Sequence, residues 1–148
     1  MSDSKKEIMD STYTALCKHG YADLTIEKIA DESKKGKSNI YYHFDDKNAL
    51  ILYFLDFMKH NLKEEFKSLD AKRPEENLDE LLDMMLGVED KEMRDFHRAL
   101  MEIQGRAQYN EDFEEKFRDL DEIVVEKFTE VLENLKIEHP QKNAELIV

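Results

Sequence analysis

Apolar residues recur along this chain at spacings of three and four, the period of a helix with one buried face. Ile8, Thr12, Ala15, Leu16 and His19 share one face of a helix predicted over residues 5–19, and Gly20 supplies its stop. Thr25 then reads as an N-cap, with Leu24 before it and Ile29 at the fourth helical position forming a hydrophobic staple. That helix is expected to run to about Ser33 with Ile26, Ile29 and Ala30 inward. A turn at Lys34-Lys35-Gly36 leads to a short third helix over Lys37 to Phe44. Asp46 caps a long fourth helix from Lys47 to about Leu69, with Leu50, Ile51, Phe54, Phe57, Met58, Leu62, Phe66 and Leu69 as its stripe. A polar link over 70–76 follows. Leu78, Leu81, Leu82, Met85 and Leu86 predict a fifth helix stopped near Gly87. Met93, Phe96, His97, Leu100, Met101 and Ile103 predict a sixth that loosens at Gly105. Phe113, Phe117, Leu120, Val124, Phe128, Val131 and Leu135 predict a long seventh, and Pro140 opens an eighth at its first position. The last three residues, Leu146, Ile147 and Val148, are apolar with no cap or breaker, the expectation for a chain cut short at this point.

The expected fold is therefore all-α. Four Gly and two Pro in 148 residues leave little material for β-turns, which agrees. No apolar run approaches the ~18 residues of a membrane span, and the first ten residues lack the apolar segment of a secretory signal. One cysteine, Cys17, excludes an intramolecular disulfide framework and fits a reducing cytoplasm. The formal charge of −13 is unevenly placed: the first fifty residues hold eight Lys against nine Asp or Glu, and the other 98 hold 14 basic against 26 acidic residues. Between Ser33 and His43 the chain carries Lys34, Lys35 and Lys37 and no acid, which reads either as a place for a polyanion to dock or as a solvated turn.

Two short helices joined by a tight turn and followed by a long helix are the elements of a helix-turn-helix, in which the second short helix enters the DNA major groove. Its residues have suitable chemistry. Lys37 can reach a guanine edge or a phosphate, and Ser38 and Asn39 can read base edges. Tyr41, His43 and Lys47 can contact phosphates, and Thr25 stands at a helix N-terminus that favours an anion. Ile40 and Phe44, four apart, face the core.

The stretch from Gly20 to Leu50 resembles the DNA-binding segment of the tetracycline-repressor (TetR) family. The resemblance is carried by Gly20-Tyr21, the Thr25 cap, Ile29-Ala30, the run Ile40-Tyr41-Tyr42-His43-Phe44, and Lys47 with Ala49-Leu50. It departs from the family at the turn, where small-Gly-apolar-Ser is usual and Ser33-Lys34-Lys35-Gly36 stands here. The resemblance implies a three-helix DNA-binding head over residues 1–46 and a larger helical ligand and dimerisation body over 47–148. It also implies a homodimer on a duplex operator, and DNA contacts at Thr25, Lys37, Ser38, Asn39, Tyr41, His43 and Lys47. The Lys-Ser-x-x-Tyr-Tyr-His wording is similar to archaeal, especially halophilic, members; the net charge agrees with that, whereas 17 Lys against 5 Arg does not.

The body offers Phe54, Met58, Met85, Phe96, Met101, Tyr109, Phe113 and Phe117 as a candidate pocket for a small apolar or amphipathic ligand. At helical spacing the same residues also read as ordinary core. Arg94, Arg98 and Arg106 are candidates to hold an acidic ligand head, or else solvent-side charges. His60 with Glu64, and His97 four before Met101, lack a third ligand, so no metal site is expected. There is no Gly-rich phosphate loop and no nucleophile elbow, and no carboxylate pair stands out; the chain is read as a non-enzyme without a cofactor. Cys17, with only Lys18 as a basic neighbour, is read as an inert thiol. The reading that follows is a DNA-binding transcriptional regulator, a ligand-responsive repressor. Its alternative is a helical carrier or adaptor that binds an apolar molecule or a protein partner without DNA.

Overall fold

A computed structural model describes residues 1–87 and 90–148 as eight α-helices. They are α1 (Asp3–His19), α2 (Ile26–Asp31), α3 (Lys37–His43), α4 (Lys47–Ser68), α5 (Pro74–Leu86), α6 (Lys91–Ala107), α7 (Glu111–Asn134) and α8 (Pro140–Ile147). Local chemistry sets most of the starts. The Thr25 hydroxyl accepts from the Lys28 N–H at 3.2 Å, and the Asp46 carboxylate accepts from the Ala49 N–H at 2.8 Å. Asp90 and Asn110 cap α6 and α7 in the same way. Leu24 and Ile29 are both buried, as the staple requires.

Two boundaries and one buried face differ from the sequence expectation. α5 begins at Pro74, inside the stretch expected to be a polar link, because proline at the first helical position lacks only an N–H that would be unpaired anyway. The buried Asn77 amide then donates to the Asp70 carbonyl at 2.8 Å and ties the link to the helix. α6 runs through Gly105 to Ala107, since one mid-helix glycine costs only about 1 kcal/mol. On α1, Met9 and Ser11 join the buried face while His19 is exposed.

The apolar residues form two clusters. The first joins Ile8, Leu16, Leu24, Ile29, Ile40 and Phe44 of the first three helices and their ends to Leu50, Ile51, Phe54 and Leu55 of α4, Phe96, Ala99 and Ile103 of α6, and Phe113 and Leu120 of α7. The second gathers Phe66, Leu81, Val124, Phe128, Val131, Leu132 and Ala144. α4, 22 residues and so about 33 Å long, enters both clusters. α7 packs on α4, α5, α6 and α8, and α6 packs on α1. Across the α4–α7 seam, Lys59 pairs with Asp119 and Lys116 with Asp56, both at 2.9 Å. Among the described residues no helix is long and apolar enough to cross a membrane.

α3 buries one residue of its own, Ile40, and is followed by buried Phe44. Ile40→Ala should therefore cost about 2–5 kcal/mol in urea unfolding, whereas Tyr42→Ala, at a side chain 84% exposed, should stay within about 0.5 kcal/mol of wild type.

Candidate nucleic-acid interface

The turn between α2 and α3 is held from α1. Glu7 Oε1 accepts from the Ser33 hydroxyl at 3.1 Å and from the Lys34 N–H at 2.9 Å, and the Ser33 hydroxyl accepts from the Lys35 N–H at 3.1 Å. A carboxylate 26 residues away thus secures a turn that departs from the family's usual wording. Gly36 lies in extended backbone at φ −76° and ψ 173° and starts α3 without a side-chain cap. Lys34 and Lys35 stay exposed on the turn.

α3 sorts its side chains by angle around the helix. Lys37, Ser38, Tyr41 and Tyr42 face solvent, with Tyr41 46% exposed. Asn39 and His43, one turn apart, point instead to the start of α1. Asn39 Nδ2 donates to Ser4 Oγ at 3.0 Å, and His43 Nε2 lies 3.3 Å from the same oxygen. Both are half-buried. Thus, of the expected DNA-contacting residues of α3, Lys37, Ser38 and Tyr41 share the open face, while Asn39 and His43 hold the helix to α1. Tyr42, which sequence reading did not select, is the most exposed aromatic of the helix; the i, i+1, i+4, i+5 set with Lys37, Ser38 and Tyr41 was the available signal.

Lys37 is not free on that face. Its ammonium pairs with Glu27 of α2 and lies 5.7 Å from the Tyr41 ring centroid. The hydrogen bond with Lys37 holds the exposed Glu27 carboxyl below its ordinary pKa, and the same bond raises Lys37. Thr25 is exposed and occupied in capping α2. Lys47 is half-buried: its ammonium donates to the Tyr21 carbonyl at 2.9 Å and sits 4.2 Å from the Tyr21 ring centroid. Burial pushes its pKa down, and Arg106 adds to that. In this arrangement Lys47 braces the α1–α2 turn rather than projecting toward solvent.

The eight candidate pocket residues do not converge. Phe54, Phe96 and Phe113 are buried in the first cluster, with Met58 and Phe117 packed against it; Met85 packs against the second cluster. Met101 and Tyr109 are 71% and 85% exposed, because they fall on the solvent side of α6 and just beyond its end. Three grooves of about 750, 760 and 410 Å³ lie along α7 and α8, between α1 and α6, and between α4 and α7; none is lined by any of the eight. Arg94, Arg98 and Arg106 are exposed. Among the described residues no group of three His, Cys, Asp or Glu is placed to hold a metal ion.

Residues 8–54, which run from within α1 through α2 and α3 into the first turns of α4, match the family described as bacterial regulatory proteins, tetR family. A TetR transcription regulator from Haloarcula marismortui ATCC 43049, of known crystal structure, is 39% identical, and the match covers 90% of this chain and 71% of that one with a TM-score of 0.76. The chain belongs to the TetR family. Two curated relatives are each 29% identical. One is the uncharacterized HTH-type transcriptional regulator YerO of Bacillus subtilis, matched over 64% of this chain and 33% of its own. The other is the HTH-type transcriptional repressor AcnR of Corynebacterium efficiens, matched over 82% of this chain and 62% of its own. The chain thus spans between a third and just under two thirds of the curated TetR-type regulators it resembles. The match at 39% identity agrees with the all-helical, helix-turn-helix expectation.

Two outcomes follow from this geometry. If DNA docks on this face, as the helix-turn-helix implies, Glu27 competes with phosphate for Lys37, so Glu27→Gln should strengthen binding to duplex DNA about three- to tenfold and steepen the log–log salt slope by about 0.9, read from titrations between 0.05 and 0.3 M KCl. At Cys17, burial pushes the thiol up; a hydrogen bond with Tyr13 opposes this, and Glu92, Asp95 and Asp90 add to the rise. A raised pKa leaves less thiolate at neutral pH, so iodoacetamide should alkylate Cys17 more slowly than free cysteine at pH 7.5, with a rate still climbing at pH values where free cysteine has levelled off.

Proposed function

We propose that this chain is a DNA-binding transcriptional regulator that acts as a repressor, and that it binds rather than catalyses. The observation that carries the reading is the open face of α3. Lys37, Ser38, Tyr41 and Tyr42 lie side by side with Lys34 and Lys35 beside them, in a helix-turn-helix and on an otherwise acidic chain. Residues 1–46 serve as the head and 47–148 as the regulatory body. Lys37 and Ser38 address base edges, Tyr41 and Tyr42 contact phosphates, Asn39 and His43 hold α3 to α1, Thr25 caps α2 and Lys47 braces the α1–α2 turn. The protein works in the cytoplasm as a homodimer on two half-sites of a duplex operator. A small apolar ligand belongs to the same proposal. Its proposed site is the cluster of Phe54, Met58, Phe96, Phe113 and Phe117, where Phe54 and Phe96 meet edge to face at 6.2 Å. The carrier or adaptor reading lacks a comparable observation.

Selection of bound sites from random 30-bp duplex DNA tests this directly. A sequence motif should emerge, and Ser38→Ala should relax preference at one or two base positions at a cost of about 1–3 kcal/mol. Tyr41→Ala should weaken all duplexes alike, as expected for a phosphate contact. Failure to enrich any sequence, with no binding to mixed duplex at low salt, would overturn the reading.

A further inference from the structure

We infer that Glu102, on α6 of the body, is a positioning residue for DNA binding: its carboxylate locks the α1–α2 turn and thereby fixes the direction in which the head presents α3. The inference rests on the DNA-binding reading above. Glu102 Oε2 accepts two backbone N–H groups from one turn, that of Tyr21 at 3.0 Å and that of Ala22 at 2.9 Å. A carboxylate that accepts two main-chain donors makes charge-assisted bonds, stronger than neutral ones and more directional than apolar contact. The partners are 81 and 80 residues apart in sequence, so the bonds join head to body and not neighbours on one helix.

The turn is shaped to receive this carboxylate. Gly20 has φ 72° and ψ −173°, a conformation open essentially to glycine alone. A Cβ built there would meet Glu102 Oε1 at 2.8 Å. Glycine therefore serves both the backbone path and the approach of the acid. One helical turn beyond Glu102, the Arg106 guanidinium lies 5.4 Å from the Tyr21 ring centroid. Lys47, at the start of α4, also lies over this ring and donates to the Tyr21 carbonyl. The buried Tyr21 is thus gripped by α6 and by α4 together.

The consequence for DNA follows from leverage. α2 starts at Ile26, just past the turn, and carries the Glu27 that pairs with Lys37. α3 in turn is tied to α1 through Ser4. The first three helices therefore move as a unit, and the Glu102 bonds fix that unit against α6. The apolar α1–α6 contacts at Ala99 and Ile103 lack direction and would not by themselves fix its angle. Two such heads must meet half-sites about one helical turn, ~34 Å, apart, so a loosened hinge costs affinity through spacing.

The test uses the full chain and duplexes carrying the sequence selected above, with the half-site separation varied by one and two base pairs. Glu102→Ala should bind the best-spaced duplex at least tenfold more weakly and lose its preference among spacings, with binding to an isolated half-site unchanged. Glu102→Gln, whose amide oxygen still accepts both N–H groups, should recover most of the spacing preference. Gly20→Ala, which displaces the carboxylate, should behave like Glu102→Ala. Amide exchange gives a readout without DNA: Tyr21 and Ala22 should exchange faster in Glu102→Ala than in Glu102→Gln. Wild-type affinity and spacing preference in Glu102→Ala would overturn the inference alone. So would an equal loss on every duplex, half-site included, that tracks a lowered melting temperature. Absence of any selected sequence would overturn the DNA-binding reading and the inference with it.

Discussion

A helix of seven residues does not hold its shape in water, because the cost of nucleation is not recovered before about 12–15 residues. α3 is that helix, and it carries the open face on which the proposed function depends. Much of the head answers to this constraint. Ile40 and Phe44 anchor α3 in the apolar cluster, Asn39 and His43 bond to Ser4, and Glu7 ties down the turn that precedes it. With those five attachments made, Lys37, Ser38, Tyr41 and Tyr42 are left facing solvent.

Charge then selects which part of the molecule meets a polyanion. The first fifty residues are nearly neutral, and the remaining 98 carry the excess of 26 acids over 14 bases. Within about a Debye length, ~10 Å at 0.1 M salt, the acidic body repels DNA and leaves the lysine-bearing end as the approach of least repulsion. Even there the lysines are restrained, since Lys37 is held by Glu27 and Lys47 is turned inward to Tyr21. In the proposed reading, DNA affinity is therefore tuned from within the head as well as by the body's overall charge.

The sequence was most informative where cause and effect lie within one turn of helix. Thr25, Asp46 and Pro140 mark helix starts through their own side chains, and the staple of Leu24 and Ile29 needs only four intervening positions. It was least informative where the partner is distant. Nothing near Glu7, Ser4 or Glu102 in sequence announces that each reaches a backbone or side chain 26 to 81 residues away. Asn39 shows the limit of chemistry without direction: its type suits a base edge, yet its angle on α3 turns it to α1. Met101 and Tyr109 show the same for the body, where a Met and an aromatic beside a buried stripe fall on the solvent side. Tyr42, not selected from the sequence, is exposed beside Tyr41 on the open face.

The account's central claim is that DNA meets the face of α3 and the lysine turn, and no other surface. The most direct measurement is a titration of the ¹⁵N-labelled chain with a mixed-sequence 20-bp duplex at low salt, followed by amide shifts residue by residue. The account predicts that the largest shifts fall between Lys34 and Tyr42, with smaller ones at the α1–α2 turn and none along α5, α7 and α8. Shifts centred on the body helices, or spectra unchanged at saturating DNA, would contradict it.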